Sequence, residues 1–171
     1  MRVVSTRTVY ENRWMRVRED RTEHLDGTPG LYGFIEKSPS ALIVPLDAGH
    51  VWLIEQYRHP VKQRFWEFPQ GAIEQGEIEP ESLARRELAE ETGLRARSME
   101  HLGRLHFAYG ISDQAVDIFH ASGLEPGEQA LEPTEQDLIV RRFTVDEVDA
   151  MVRENVIRDA ASVAAWHLAT R

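Results

Sequence analysis

The sequence predicts a mixed α/β sandwich, and three observations carry that expectation. Apolar, turn-bounded runs of strand length fill the first half; a helical stretch occupies about residues 80–92; three further runs of strand length then lead into two closing helices. Strands gathered early with helices interspersed later suit a sheet covered by helices rather than an all-β or all-α fold.

The elements follow in chain order. "WMRVREDRTEHL" and "LYGFIEKS" flank Asp26-Gly27, a turn-favouring pair, and predict an N-terminal antiparallel hairpin. "ALIVPL" and "VWLIEQY" flank Asp47-Ala48-Gly49; both runs are mostly apolar, as central strands of a sheet are. "FWEFPQGAIEQGE" reads as a structured loop punctuated by Pro69, Gly71 and Gly76. The helix that follows has Pro80 in its first turn and Gly93 where a left-handed residue closes a helix. "GRLHFAY" and "AVDIFHA" predict two more strands, "EPGEQALEPTEQD" a polar loop, and "LIVRRF" another strand. Helices at about 145–152 and 159–169 end the chain.

At 171 residues and 42% hydrophobic content, the chain suits one domain, 1–171, with N-terminal strands at about 1–37 and a core at about 38–171. The absence of cysteine excludes disulfides, thiolate nucleophiles and thiolate-bound metal, so any metal would sit on oxygen or imidazole. No apolar run reaches signal-peptide or membrane-span length, and the expectation is a soluble, cytoplasmic protein with no membrane partner. A net charge of -9 argues against a nucleic-acid partner bound through its phosphate backbone, which requires clustered Lys and Arg. It is compatible with a small phosphorylated substrate bridged by divalent cations.

"RRELAEETGL", residues 85–94, concentrates acid at a helix end. At roughly 100° per residue, Glu87, Glu90 and Glu91 fall within an arc of roughly 100° and share one face, while Ala84 and Leu88 point to an adjoining face that packs inward. A solvated acidic face is the plain reading. Against it, acid near a helix C-terminus opposes the macrodipole, and a hard cation would offset that cost. Arg86 stands four residues before Glu90, a spacing that suits either an oriented carboxylate or an ordinary surface pair.

Gly71, Glu77, Arg86, Glu87, Leu88, Glu90, Glu91, Gly93 and Leu94 together resemble the box of the Nudix hydrolases, G-x5-E-x7-R-E-U-x-E-E-x-G-U, with U a bulky aliphatic residue. Eight residues rather than seven separate Glu77 from Arg86, which leaves the register of the helical carboxylates unchanged and makes Glu79 an alternative to Glu77. The resemblance implies an α/β/α sandwich around a mixed sheet and hydrolysis of a nucleoside diphosphate linked to another moiety, with Mg²⁺ or Mn²⁺ as cofactor. It also implies Glu87 and Glu91 as the principal metal ligands, assisted by Glu90 and the backbone carbonyl of Gln70, with Arg86 orienting a carboxylate.

Outside the box, "EQYRHPV", "GISDQ" and "EQDLIVRRFTVDEV" are similar to the ADP-ribose and nucleotide-sugar pyrophosphatase branch. That likeness implies a substrate contact by Arg58, a water-activating role for Glu135 with Asp137 second, and a homodimer that exchanges N-terminal strands. Each residue has a plainer reading. Arg58 would close a strand end with a surface ion pair, Glu135 would be a solvated loop acid, and Trp14 would pack a core or an interface rather than stack a base. Trp66 and Phe68 read as structural aromatics flanking Glu67, a candidate substrate contact. Tyr109 stands where that branch carries proline, and with "FPQG" it resembles dinucleoside polyphosphate hydrolases, the second expectation for substrate. A nucleotide-sensing domain without catalysis is the third. No phosphate-loop, zinc-peptidase or serine-hydrolase motif is present.

Overall fold

In "SALIVP" every residue is apolar or small, and only a strand covered on both faces can bury them all. The computed structural model describes residues 1–73, 79–133 and 135–171. Its strands are β1 (Arg2–Glu11), β2 (Arg16–Glu23), β3 (Pro29–Glu36), β4 (Ser40–Asp47), β5 (His50–Arg58), β6 (Gln63–Glu67), β7 (Gln70–Ala72), β8 (Leu94–His106), β9 (Ala115–Pro126) and β10 (Ile139–Thr144). The helices are α1 (Pro80–Thr92), α2 (Val145–Arg153) and α3 (Ala160–Ala169).

The chain forms two compact units. One comprises residues 1–39 and 106–115, the other residues 40–105 and 116–171. In the first, β1, β2 and β3 make an antiparallel sheet in that order, with Arg21 opposite both Ser5 and Leu31. Every residue of β1 is exposed, and the ion pairs Arg2–Glu23 and Arg7–Glu19 cross from it to β2. The segment after His106 turns at Tyr109, where the Ile111 N–H donates to the Ala108 carbonyl at 2.8 Å. Asp113 accepts from the Lys37 N–H at 3.0 Å within the same unit.

The second unit holds a mixed sheet in the order β10-β5-β4-β9-β8, with β6 paired to β5 and β7 to β4. β4 runs parallel to β9, Leu42 opposite Ile118, and antiparallel to β7. Alternate residues of β4 point to opposite layers. Leu42 and Val44 pack with Phe143, Val148, Ala165 and Trp166 beneath α2 and α3, while Ala41 and Ile43 pack with Leu83, Ala84 and Leu88 of α1. This is the expected α/β/α sandwich. Helix ends are set locally. Thr144 and Glu147 form a capping box for α2, Asp159 caps α3, and Gly93 closes α1 at φ 70°.

Several expectations needed correction. The β4–β5 hairpin pairs only at Leu46–Val51 and Asp47–His50, because β7 and β6 occupy the two strands farther out. The loop read into "FWEFPQGA" contains β6 and β7, broken by Pro69, which has no N–H to give a ladder. β8 starts at Leu94, not Gly103; its polar run "RARSMEH" hides the strand. Trp14 lies in the turn between β1 and β2, held by Asn12, rather than inside a strand, and Tyr109 lies past the end of β8.

Candidate active site

The inward stripe of α1 consists of Leu83, Ala84, Glu87, Leu88 and Glu91, so two carboxylates occupy positions that an ordinary packed helix fills with aliphatics. Glu91 is 1% exposed and Glu87 8%. Glu90, one residue away from the stripe, is half-buried. The three acids therefore share an arc, as their spacing requires, but stand in different surroundings.

β7 covers the two buried acids. The Gln70 N–H donates to Oε2 of Glu91 at 2.9 Å. A Cβ added to Gly71 would fall 2.2–2.4 Å from the carboxyl atoms of Glu87, so only glycine lets the strand lie this close. Arg86 donates from Nη2 to Oε1 of Glu87 at 3.0 Å, and its Nε is 3.7 Å from Oε2 of Glu90. The second oxygen of Glu91, Oε1, is fully buried and meets no hydrogen-bond donor among the described residues.

A second layer surrounds this pair. Arg58, at the end of β5, grips Glu67 with both arms of its guanidinium, Nη2 at 2.6 Å from Oε1 and Nε at 3.2 Å from Oε2. Glu67 is 2% exposed, whereas the Arg58 side chain stays partly open to solvent. The surface ion pair expected of Arg58 is thus a pair with a buried carboxylate, and Glu67 is occupied by protein groups. The Gln70 amide donates to Glu67 at 3.2 Å and lies 3.5 Å from Asp159. Ser162 donates to Asp159 at 2.7 Å and accepts the Phe68 N–H at 3.0 Å, tying the 67–70 segment to α3.

The loop after β9 returns to the end of α1. The Gly127 N–H donates to the Gly93 carbonyl at 2.6 Å, the Ala130 N–H to the Glu90 carbonyl at 3.0 Å, and the Gln129 amide to the Glu91 carbonyl at 2.6 Å. The Glu90 and Glu91 carbonyls are among the ones a helix end leaves without partners. Glu135 follows in a tight turn, its N–H on the Glu132 carbonyl at 2.9 Å, and it is half-buried. Asp137 is bound by Arg64 through both its carboxylate and its carbonyl.

Electrostatics ties these groups together. Burial raises Glu87 to about 7 against the opposing pull of Arg86, with Glu90 and Glu135 adding to the rise. Burial raises Glu91 well above the usual carboxylate range, and Glu87, Glu135 and Glu67 push the same way. Burial also raises Glu67 and Glu135, each opposed in part by Arg58. Mutual repulsion among buried acids with few compensating cations is the physical signature of a site short of positive charge.

Among the described residues no three acidic or histidine side chains converge as a ready-made metal cage. A magnesium-type ion does not need one, since it takes one or two carboxylates and completes its shell with water and substrate phosphate. The all-oxygen donor set and the unmet Oε1 of Glu91 fit such an ion. Glu77 lies outside the described residues. Glu79 immediately precedes α1 and makes no side-chain cap. Trp14 and Tyr109 belong to the other unit, where they are 62% and 87% exposed; Arg13 lies over the Trp14 ring at 4.1 Å. Arg64, Asp159 and Ser162 were not anticipated from the sequence. Asp159 and Ser162 carry the local pattern of a helix N-cap, but their bonds to Gln70 and Phe68, and that of Arg64 to Asp137, reach partners far along the chain.

The NUDIX domain family matches residues 36–166, and the nucleoside diphosphate sugar hydrolase N-terminal domain family matches residues 1–35. The ADP-ribose pyrophosphatase of Mycobacterium tuberculosis is 29% identical over 94% of this chain and 79% of its own length. That of Bacillus subtilis is 33% identical over 74% of this chain and 69% of its own. The methanol dehydrogenase activator of Bacillus methanolicus is 26% identical over 96% of this chain and 89% of its own length. Among solved structures, an ADP compounds hydrolase superposes with a TM-score of 0.85, at 24% identity, over 98% of this chain and 90% of that one, a likeness of fold.

Proposed function

Since the chain belongs to the NUDIX domain family, we propose that it hydrolyses the diphosphate linkage of ADP-ribose or a related nucleoside diphosphate sugar, giving a nucleoside monophosphate and a sugar phosphate. Two ADP-ribose pyrophosphatases among its relatives and the matched N-terminal domain support the substrate class. The unmet, buried Oε1 of Glu91 beside a second buried carboxylate is the observation that carries the chemistry.

Glu91 and Glu87, with Glu90 and the Gln70 carbonyl, would hold Mg²⁺ or Mn²⁺. Bound there, the cation supplies Lewis acidity toward the diphosphate and offsets the carboxylate repulsion. Arg86 fixes the Glu87 carboxylate. Arg58, held from behind by Glu67, presents its remaining N–H groups to a substrate phosphate or base. Glu135 takes the proton of the attacking water; burial raises its carboxyl above the ordinary value, which makes the carboxylate a stronger base. Water's oxygen bonds to one phosphorus, the bridging P–O bond breaks, and the bridging oxygen leaves with the other phosphate. We also assign a homodimer built through the N-terminal strands, supported by Val3, Val4, Val9 and Tyr10 standing exposed along β1.

A second reading has its own support. The RNA pyrophosphohydrolase of Caulobacter vibrioides is 50% identical over 56 residues, a third of this chain, and "FPQG" points the same way as Tyr109 toward dinucleoside polyphosphates. A panel of ADP-ribose, GDP-mannose, diadenosine tetraphosphate and 5'-triphosphorylated RNA, run with Mg²⁺ and with EDTA and scored by product identity, separates the readings. ADP-ribose should yield AMP and ribose phosphate only with metal, and Glu91→Gln should nearly abolish turnover. Cleavage confined to diadenosine tetraphosphate or RNA reverses the ranking. Nucleotide-induced stabilisation without any hydrolysis would mark a sensor.

A further inference from the structure

We propose that Arg64 is a positioning residue that holds the Glu135 turn in its working place. The inference rests on the hydrolytic role assigned to Glu135 above.

Arg64 lies on β6 opposite Tyr57 of β5. Its guanidinium reaches along β5 and makes four hydrogen bonds. Nε donates to the Glu55 carboxylate at 3.1 Å and Nη2 to the Glu55 carbonyl at 3.0 Å. On its other side Nη1 donates to the Asp137 carboxylate at 2.5 Å, and Nη2 to the Asp137 carbonyl at 2.7 Å. Glu55 pairs with Ile139 at the start of β10, so the acceptors come from the strand and from the segment that joins its neighbour. A backbone carbonyl held together with its own side chain fixes the segment's orientation as well as its distance.

The segment so held is short and internally bonded. The Leu138 N–H donates to the Glu135 carbonyl at 2.9 Å, the Glu135 N–H to the Glu132 carbonyl at 2.9 Å, and the Glu132 N–H to Oε2 of Glu135 at 3.3 Å. Leu138 is buried. Upstream, Gln129 and Ala130 are bonded to the last turn of α1. Glu135 therefore sits between two anchors, one on the helix that bears Glu87 and Glu91, the other on Arg64. Leu138 gives the downstream end a buried apolar contact, but Asp137 faces solvent apart from this clamp and Ile139 is exposed, so Arg64 is what fixes the orientation of the Asp137 peptide. Lysine, a point donor, cannot serve four acceptors in a plane. Asp137, the second candidate for the base, is thereby committed to the clamp.

The test compares wild type, Arg64→Ala, Arg64→Lys, Glu135→Gln and the double variant Arg64→Ala/Glu135→Gln on the best substrate of the panel at saturating Mg²⁺. Arg64→Ala should lower kcat by about tenfold to a hundredfold, the scale of a small misplacement of a reacting group, with KM changing by less than about threefold. Arg64→Lys should fall between it and wild type. In the Glu135→Gln background, Arg64→Ala should cost less than about twofold more, because two residues acting as one unit are not additive. Amide hydrogen exchange should speed up at Glu135 and Leu138 in Arg64→Ala while the β5–β10 ladder stays protected. Full kcat in Arg64→Ala, or an undiminished loss in the Glu135→Gln background, overturns the proposal and leaves Glu135's role standing. General loss of ladder protection in both Arg64 variants overturns it in favour of plain structural support. Full activity of Glu135→Gln overturns the reading beneath it.

Discussion

Replacing Glu87 by glutamine should stabilise the protein at alkaline pH in chelator and bring little advantage once a divalent cation is supplied. Burial holds Glu87 at about 7, against an ordinary 4.5. A carboxyl whose pKa is higher folded than unfolded keeps its full contribution below the unfolded value and loses it as pH rises through the folded one. Above about pH 7 the ionised side chain then costs about 3 kcal/mol, at about 1.4 kcal/mol per tenfold in proton affinity, and coupling to Glu91 spreads the titration over the pair. Glutamine keeps an oxygen for Arg86 and the same outline beneath Gly71, so the variant recovers that cost without a cavity. For a chain of this size about 1 kcal/mol moves Tm by about 2–4 °C. The variant should melt about 6–12 °C above wild type at about pH 8 in EDTA, with the gap closing to about zero below about pH 4. If Glu87 is a ligand as proposed, Mg²⁺ at about a hundredfold its Kd for wild type should add about 2.7 kcal/mol there and less to the variant, which closes most of the gap. Scanning calorimetry across pH, with EDTA and with Mg²⁺, reads each quantity. A variant that melts below wild type at about pH 8 in EDTA, or a gap independent of pH, would refute the electrostatic account.

Gly71→Ala should abolish the Mg²⁺-induced rise in Tm and lower turnover by at least about tenfold, because the new Cβ would displace the Glu87 carboxylate; the melting temperature in EDTA should fall only as far as about 1–3 kcal/mol of overpacking requires. Ser162→Ala should cost about 1–3 kcal/mol in urea denaturation, since it strips the buried Phe68 N–H of its acceptor and Asp159 of a donor.

How far the site could be read from the chain depended on how local its causes are. The spacing of Glu87, Glu90 and Glu91 is a property of one helix, and so is the termination by Gly93; both stand in the sequence. That Glu87 and Glu91 are the buried two, with Glu90 half open, depends on β7, a three-residue strand after Pro69 that no periodicity can announce. Gly71 gave a motif position but not its reason, which is the carboxylate lying where a methyl group would be. Ser162 meets Phe68 across 94 residues of chain, and Arg64 meets Asp137 across 73. In the sheet, the apolar strands β4 and β5 were evident, while β1 and the start of β8 were not, because neither is an apolar run.

The placement of acid at the end of α1 conflicts with the helix dipole, and the fold resolves part of the conflict before any cation is considered. The carbonyls of Glu90 and Glu91, which would otherwise face the carboxylates' own end of the helix unpaired, accept from Ala130 and Gln129. The loop that supplies those donors then delivers Glu135, which raises Glu87 and Glu91 further. One segment thus removes a backbone penalty and adds a charge penalty in the same place. Hydrogen bonds from neutral amides can do the first without offsetting the second. What remains is a repulsion that protonation or a positive charge relieves, and among the described residues Arg86 is already engaged with Glu87 and Arg58 with Glu67. A bound cation should therefore draw Glu135 toward the helix as well as satisfy Glu91, making the loop's amides at Gln129 and Ala130 exchange more slowly with Mg²⁺ than in EDTA.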